Sequence, residues 1–270
     1  MHSIVTLTLM HDRHLCDVSS LDLSTAESYH WYQAVSSFNR QLSHDAYAHD
    51  QIALMATSAI MGTLVFCHME AKTPDEAWPL NSPSTSAVNW LCINRGKQEV
   101  WKLARSRNHN TTVEILGSIH TSQTYTETLL DFRFTGIPPE FLRLYNIYSP
   151  TNGIDNPYLP VALGLAQILY TECPMNNSFV GFCFFISSMP GHFKILLEDK
   201  DPRALLLLAC WYAKVCCLGV WWVTRRSLLE GQAICIYLER YFKHNIDLQT
   251  ILQFPKAVFS AVGPRRIQGS

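Results

Sequence analysis

The sequence predicts an all-α protein, a layered bundle of about ten helices. Three observations carry that reading. Apolar residues recur at three-to-four spacing in segment after segment. Helix-start signals open many of those segments. No stretch alternates apolar and polar residues long enough to make a half-buried strand. The bulk composition agrees: 48% of the 270 residues are apolar and only 16% are charged. So few charges leave little solvated surface for the length, and helices must stack on helices in more than one layer.

The elements follow in order. "MHSIVTLTLMHDRH" has no basic start and its apolar stretch is interrupted early, so it is no secretory signal and reads as a helix entered in its middle. "STAE" at Ser24–Glu27 is a capping box. The helix after it places Tyr32, Val35, Phe38 and Leu42 on one stripe. Tyr47 to Ala71 is a long helix, apolar nearly all round, which belongs in a core. Thr73, Pro74 and Glu76 form a second capping box, and Pro79 and Pro83 hold an extended connection. Helices follow around Ala87–Ile93 and Gly96–Arg105, then a polar loop from Arg105 to Thr112. "GIPPEFLRLYNIY" and "DNPYLPVALGLAQILY" begin with prolines and continue with helical periodicity. Asp201-Pro202 starts a helix with Asp201 as its N-cap. The run breaks at Val223–Arg226, with Arg225 and Arg226 reaching water. A new helix begins at Ser227, and "NIDLQTILQFPKAVF" closes the chain with a kink at Pro255.

Ala204 to Val223 is as long as a bilayer span needs, roughly 20 residues. Lys214 lies at its centre, where insertion costs about 2.5–3.5 kcal/mol. Trp211, Tyr212, Trp221 and Trp222 spread through the run instead of flanking it. A buried helix explains this pattern better than a membrane span. Lys214 then carries its ammonium to an edge of the bundle while its stem packs.

Charge and cysteine content exclude several function classes. The 21 basic and 22 acidic residues give a formal charge of −1, and no basic stripe exists to neutralise a row of phosphates, so no direct DNA binding by this chain alone is expected. The nine cysteines are odd in number and irregular in spacing, most of them inside apolar patterns. They read as core thiols of a reducing compartment. "HDRHLC" offers His11, His14 and Cys16, but no C-x-x-C pair completes a zinc site. Asp45 and His49 sit one helical turn apart without a matching pair elsewhere. Cys216 and Cys217 diverge by ~100° around a helix and cannot share an ion. There is no G-x-S-x-G elbow, "RGKQ" lacks the spacing of a phosphate loop, and no aspartate-rich motif suggests a terpene cyclase. No enzyme activity, cofactor or metal is expected.

Trp211, Tyr212, Trp221, Trp222 and Tyr237 are read first as core. The second reading makes Trp211, Trp221, Trp222 and Tyr237 the lining of an effector pocket for an apolar small molecule.

Several stretches in order carry a family resemblance: "YHWYQAVSSFNRQLS", a long apolar helix, "DEAWPL", "WLCINRGKQEVW", then "DPRALLLLACWYAKV", "WW", "RR", "LEGQAICIYLERY" and "LQFP". Together they resemble the regulatory domain of fungal binuclear zinc-cluster transcription factors, in the group that includes the sterol uptake control proteins. The match runs from about Ala26 to Pro255 and is weakest over Val113–Tyr158. It implies that residues 1–270 form a single helical regulatory domain of a nuclear transcription regulator. Such a domain would work with other regulators or co-regulators on a metabolic or secondary-metabolite gene set. The family's six-cysteine zinc cluster has no counterpart in this sequence, so its DNA-reading role does not carry over. The alternative is an isolated ligand- or partner-binding helical module that competes with full-length regulators.

Overall fold

Asp201 begins the central helix as its position predicts. Its Oδ1 accepts from the amides of Arg203 and Ala204, both at 3.0 Å, and Pro202 takes the first helical position. The structure is a computed structural model, and it describes residues 1–16, 23–43, 51–81, 136–147, 156–170 and 189–262, with Trp90, Leu91, Val100, Phe185 and Ile186. Among them are α1 (His2–Leu15), α2 (Thr25–Ser43), α3 (Gln51–Cys67), α4 (Pro139–Leu144), α5 (Leu159–Tyr170), α6 (Gly191–Glu198), α7 (Pro202–Cys216), α8 (Trp221–Tyr241) and α9 (Ile246–Val262), plus a 3-10 turn at Pro74–Glu76. The described residues contain no strand, and the protein is an all-α, layered bundle.

Helix α7 is the centre of the layers. It packs against α5, α6, α8 and α9; α8 in turn meets α1, α3 and the 3-10 turn, and α4 lies on α9. Every residue from Ala204 to Ala213 is buried, as the nearly unbroken apolar run requires. Lys214, in the last turn, is half-buried. At 15 residues α7 is shorter than a bilayer span. No described helix is long and apolar enough to cross a membrane.

The end of this run departs from expectation. The turn lies at Cys217–Val220, and α8 already begins at Trp221. Gly219 supplies the reason, with a φ of +66° that side-chain-bearing residues rarely adopt. Leu218 N donates to Val215 O at 3.0 Å to close α7, and Thr224 Oγ1 donates to Val220 O at 2.8 Å over the first turn of α8. Nothing at 223–226 interrupts helical geometry, so the tryptophan pair and both arginines belong to α8.

The capping box before α2 is present in full. Ser24 N donates to Glu27 Oε2 at 2.6 Å, and Glu27 N donates to Ser24 Oγ at 3.1 Å. Glu27 is buried, with Oε1 3.2 Å from Arg13 Nη2 of α1. That contact fixes the rotation of α2. Ala34 faces inward, and Phe38 and Leu42 pack on Leu54, Met55 and Val100. Tyr32, five residues past Glu27, is turned outward and is 67% exposed; it is not part of the buried stripe.

The long apolar helix ends at Cys67, short of Ala71. The second capping box forms only in part. Glu76 Oε2 accepts from Lys72 N at 2.7 Å, but Thr73 makes no side-chain cap and the segment is a single 3-10 turn. α9 continues through Pro255. Two helices end in Schellman turns on residues other than glycine. Ile147 N donates to Leu142 O and Asn146 N to Arg143 O; Asp201 N donates to Leu196 O and Lys200 N to Leu197 O. Asn146 and Lys200 hold the left-handed positions at φ +51° and +56°. The Lys200 ammonium repays its backbone cost by donating to Pro79 O at 2.8 Å, which ties the α6–α7 turn to the segment after the 3-10 turn. The expected helix at Gly96–Arg105, the loop at Arg105–Thr112, the Asp45/His49 pair and the start of the Tyr47 helix fall wholly or mostly outside the described residues. Trp90 and Leu91, within the expected Ala87–Ile93 helix, are helical.

Candidate functional site

Among the described residues, an extended aromatic assembly forms around Trp211, in the middle of α7. Its indole is 1% exposed. Trp90 stacks on it at 5.8 Å between ring centroids and 7° between planes, and Phe185 at 5.1 Å and 19°. Phe66, from the last turn of α3, meets it edge-on at 6.2 Å and 86°. Offset stacks and edge contacts of this kind are the favoured arrangements for ring quadrupoles.

Of the other residues expected to line an effector pocket, Trp222 joins this group, 6.0 Å from Phe66 at 87°. Trp221 does not. Its neighbour in sequence lies ~100° around the helix, and Trp221 faces α1, where His11 and His14 lie 5.0 and 5.6 Å away. Tyr237 lies sixteen residues further along α8, ~24 Å at 1.5 Å per residue. There it meets Tyr241 at 4.8 Å and Phe242 at 6.2 Å, under the Lys200 ammonium at 5.7 Å. The four therefore divide between three places: Trp211 and Trp222 share Phe66, while Trp221 and Tyr237 stand apart.

Beside the aromatic assembly is a buried polar centre built on Arg226, a residue expected at the water-facing break of the apolar run. Arg226 is buried, with Nε donating to Phe66 O at 2.8 Å and Nη2 to His68 O at 2.6 Å and Val65 O at 3.3 Å. These are carbonyls of the last turn of α3 and the residue after it, left without partners by the end of the helix. A cation there also meets the negative end of the helix dipole. Nη1 donates to Glu230 Oε1, one turn along α8, and Tyr212 OH donates to Glu230 Oε2. Burial pushes the Glu230 carboxyl above the usual carboxylate range, against the pull of Arg226 and the Tyr212 hydroxyl. Burial next to Glu230 likewise lifts the Tyr212 hydroxyl well above its ordinary value. Arg225 is exposed, as expected, and donates from Nη2 to Ala71 O at 2.8 Å.

Both oxygens of Glu230 are engaged, one by Arg226 and the other by Tyr212. Chemically it is a lock: one guanidinium joins α3 to α8, and one carboxylate joins α8 to α7. The signal for its inner half was in the sequence, since Arg226 and Glu230 are four residues apart on one helix. Nothing local could indicate the carbonyls about 160 residues upstream. Phe66, Trp90 and Phe185 were likewise not singled out, because each lies on a different segment from Trp211.

His11 and His14 turn to Trp221, and among the described residues no group of three or more His, Cys, Asp or Glu could hold a metal ion. Cys216 is buried while Cys217 is exposed, on diverging sides of the chain. Cys210 and Cys235 are buried, and their thiols are pushed upward by desolvation, that of Cys235 to about 12. The Cys67 thiol stands at about 11: burial outweighs the cations of Arg13, Arg226 and Arg225 nearby. Thiols so disposed are packing groups, not nucleophiles.

Searches against family models, curated proteins and solved structures match nothing to this chain.

Proposed function

We propose that this chain is the regulatory domain of a nuclear transcription regulator. It acts on a metabolic or secondary-metabolite gene set through other regulators or co-regulators and has no catalysis of its own. One observation supports the reading: two stretches of the resemblance that lie far apart in the sequence meet in space, and others share one helix or pack beside it. Trp90 of "WLC" stacks on Trp211 of "ACWYAKV". The second arginine of "RR" pairs with the glutamate of "LEG". The glycine of the same "LEG" takes the ring of Phe259, just past "LQFP". Motifs scattered over the sequence thus belong to one scaffold, which is what a shared regulatory domain would preserve.

An apolar effector of the proposed regulator would act at Trp211 and Trp222, the two of its four expected residues that share Phe66. A second reading is a partner-binding module that competes with full-length regulators. Imaging of the tagged chain in its own cell, with promoter occupancy by chromatin immunoprecipitation, tests the proposal. Nuclear signal with enrichment at a defined promoter set is expected. A uniformly cytosolic chain without promoter enrichment would overturn both readings. Target-gene output that rises when this chain is deleted, but only while a full-length regulator is present, would select the second.

A further inference from the structure

The two ends of α1 hold the first turns of α2 by different bonds. Near its C-terminal end Arg13 pairs with Glu27. In its first turn His2 Nδ1 lies 2.8 Å from Nδ1 of His30. The two ring centroids are 5.0 Å apart, about the nitrogen separation plus two ring radii, so the two Nδ1 atoms point at one another. A bond of this kind has room for one proton, with one Nδ1 donating and the other accepting on its lone pair. Neither ring has another hydrogen bond or ion pair among the described residues. Both are half-buried, so water can deliver protons to them.

We propose that the His2–His30 pair is an acid-sensitive latch between α1 and α2. A first added proton goes to the bare Nε2 of the donor ring and leaves the bond in place, as imidazolium to imidazole. A second has only the accepting Nδ1 left to take it. That proton removes the lone pair and sets two like charges, each with an N–H, against one another. No described carboxylate faces the pair to relieve them. On α2 the Tyr29 ring meets both imidazoles, at 6.3 and 5.2 Å, and Glu27 is taken by Arg13. On α1 the next titratable groups after His2 are His11, which lies on Trp221, then Asp12 and Arg13 near the other end. Helix α3, packed on α1, holds no titratable residue before Cys67, and α8 meets α1 around Trp221. Imidazole is the side chain that gains charge between pH 8 and 5. In that window the open pair binds two protons and the closed pair one, so the contact weakens as pH falls. Opening releases the first turn of α1 and uncovers Ser3 and Thr6, which the helix buries.

Hydrogen exchange of the full chain at pH 7.5 and pH 5.0, corrected for intrinsic rates, tests the latch. One proton refused by the closed pair, about 1.5 pH units below the ordinary imidazole midpoint, multiplies opening by up to ~30-fold. Protection of α1 and of the first turns of α2 should therefore fall by at least ~5-fold on acidification of the wild type. In His30→Gln or His2→Gln, whose amides keep a donor and an acceptor without titrating, the two values should agree within about 2-fold. His11→Gln, altered on the ring that lies on Trp221, should keep the wild-type response. Nitrogen-15 spectra of the wild-type imidazoles read the pair without any substitution. At pH 7.5 one of its two Nδ1 atoms should carry a proton and the other none. Two bare Nδ1 atoms at that pH, protection that does not change with pH, or a fall as large in His30→Gln as in the wild type overturns the proposal.

Discussion

Replacing Arg226 by methionine keeps most of the side-chain stem and removes the guanidinium. Glu230, 3% exposed, then loses its countercharge, and the carbonyls of Val65, Phe66 and His68 lose their donor. Breaking a buried pair by deleting one partner costs about 3–5 kcal/mol, and each orphaned buried carbonyl adds to that. A loss of about 4–5 kcal/mol at pH 8 is expected, which at a slope of roughly 3 kcal/mol per M moves the urea midpoint down by about 1.5 M.

The pH dependence has a definite sign. Burial already raises the Glu230 carboxyl in the folded state, and removing Arg226 raises it further. Above the range of a free carboxylate, near 4.3, the folded variant then binds a proton that the unfolded chain has released. Stability of the variant therefore falls as pH rises through that window. The deficit relative to wild type should be larger at pH 8 than at pH 5, by more than about 1 kcal/mol. Adding Glu230→Gln should recover part of the loss and remove the pH dependence. A deficit below about 1 kcal/mol at pH 8, or one that does not change with pH, would refute the reasoning.

Other consequences are as direct. Trp211→Ala empties the middle of a three-ring stack and should cost roughly 3–5 kcal/mol in urea unfolding; a cost within about 0.5 kcal/mol would mean the indole is not buried. Gly231→Ala places a Cβ 2.2 Å from Phe259 Cζ. Overpacking of about 1–3 kcal/mol should outweigh a gain of about 1 kcal/mol in helix propensity, and Phe259→Leu in the same chain should relieve at least ~1 kcal/mol of it. Additive losses from the two substitutions would show that they do not touch. Thiol alkylation mapped by mass spectrometry should label Cys16 and Cys217 in the native chain, and Cys210, Cys216 and Cys235 only after unfolding. Rapid native labelling of the buried three would contradict their packing role.

The all-α fold was legible because its signals are local. The Ser24–Glu27 box, the Asp201-Pro202 start and the inward run of α7 each depend on residues within a turn or two of one another. The errors arise where a distant partner decides. Arg226 looked like a surface residue because the carbonyls it binds belong to α3. Tyr32 looked like core because its periodicity is right, whereas Arg13 sets the rotation of α2 through Glu27. The proposed pocket grouped aromatic residues by closeness in sequence, and adjacency on a helix points Trp221 and Trp222 to different neighbours. The boundary between α7 and α8 rested on one glycine in an apolar run, and the arginine pair after it was the more visible punctuation. α6 had no sequence expectation at all, being eight residues entered from Pro190 without a side-chain cap.

The central claim is that this chain regulates transcription when it is brought to a promoter. Fusing it to a heterologous DNA-reading domain above a reporter measures that directly. The account predicts reporter output clearly different from that of the reading domain alone, with the difference lost on Arg226→Met, which opens the lock between α3 and α8. Output equal to the reading domain alone, from a folded wild-type fusion at the same cellular level, would contradict it.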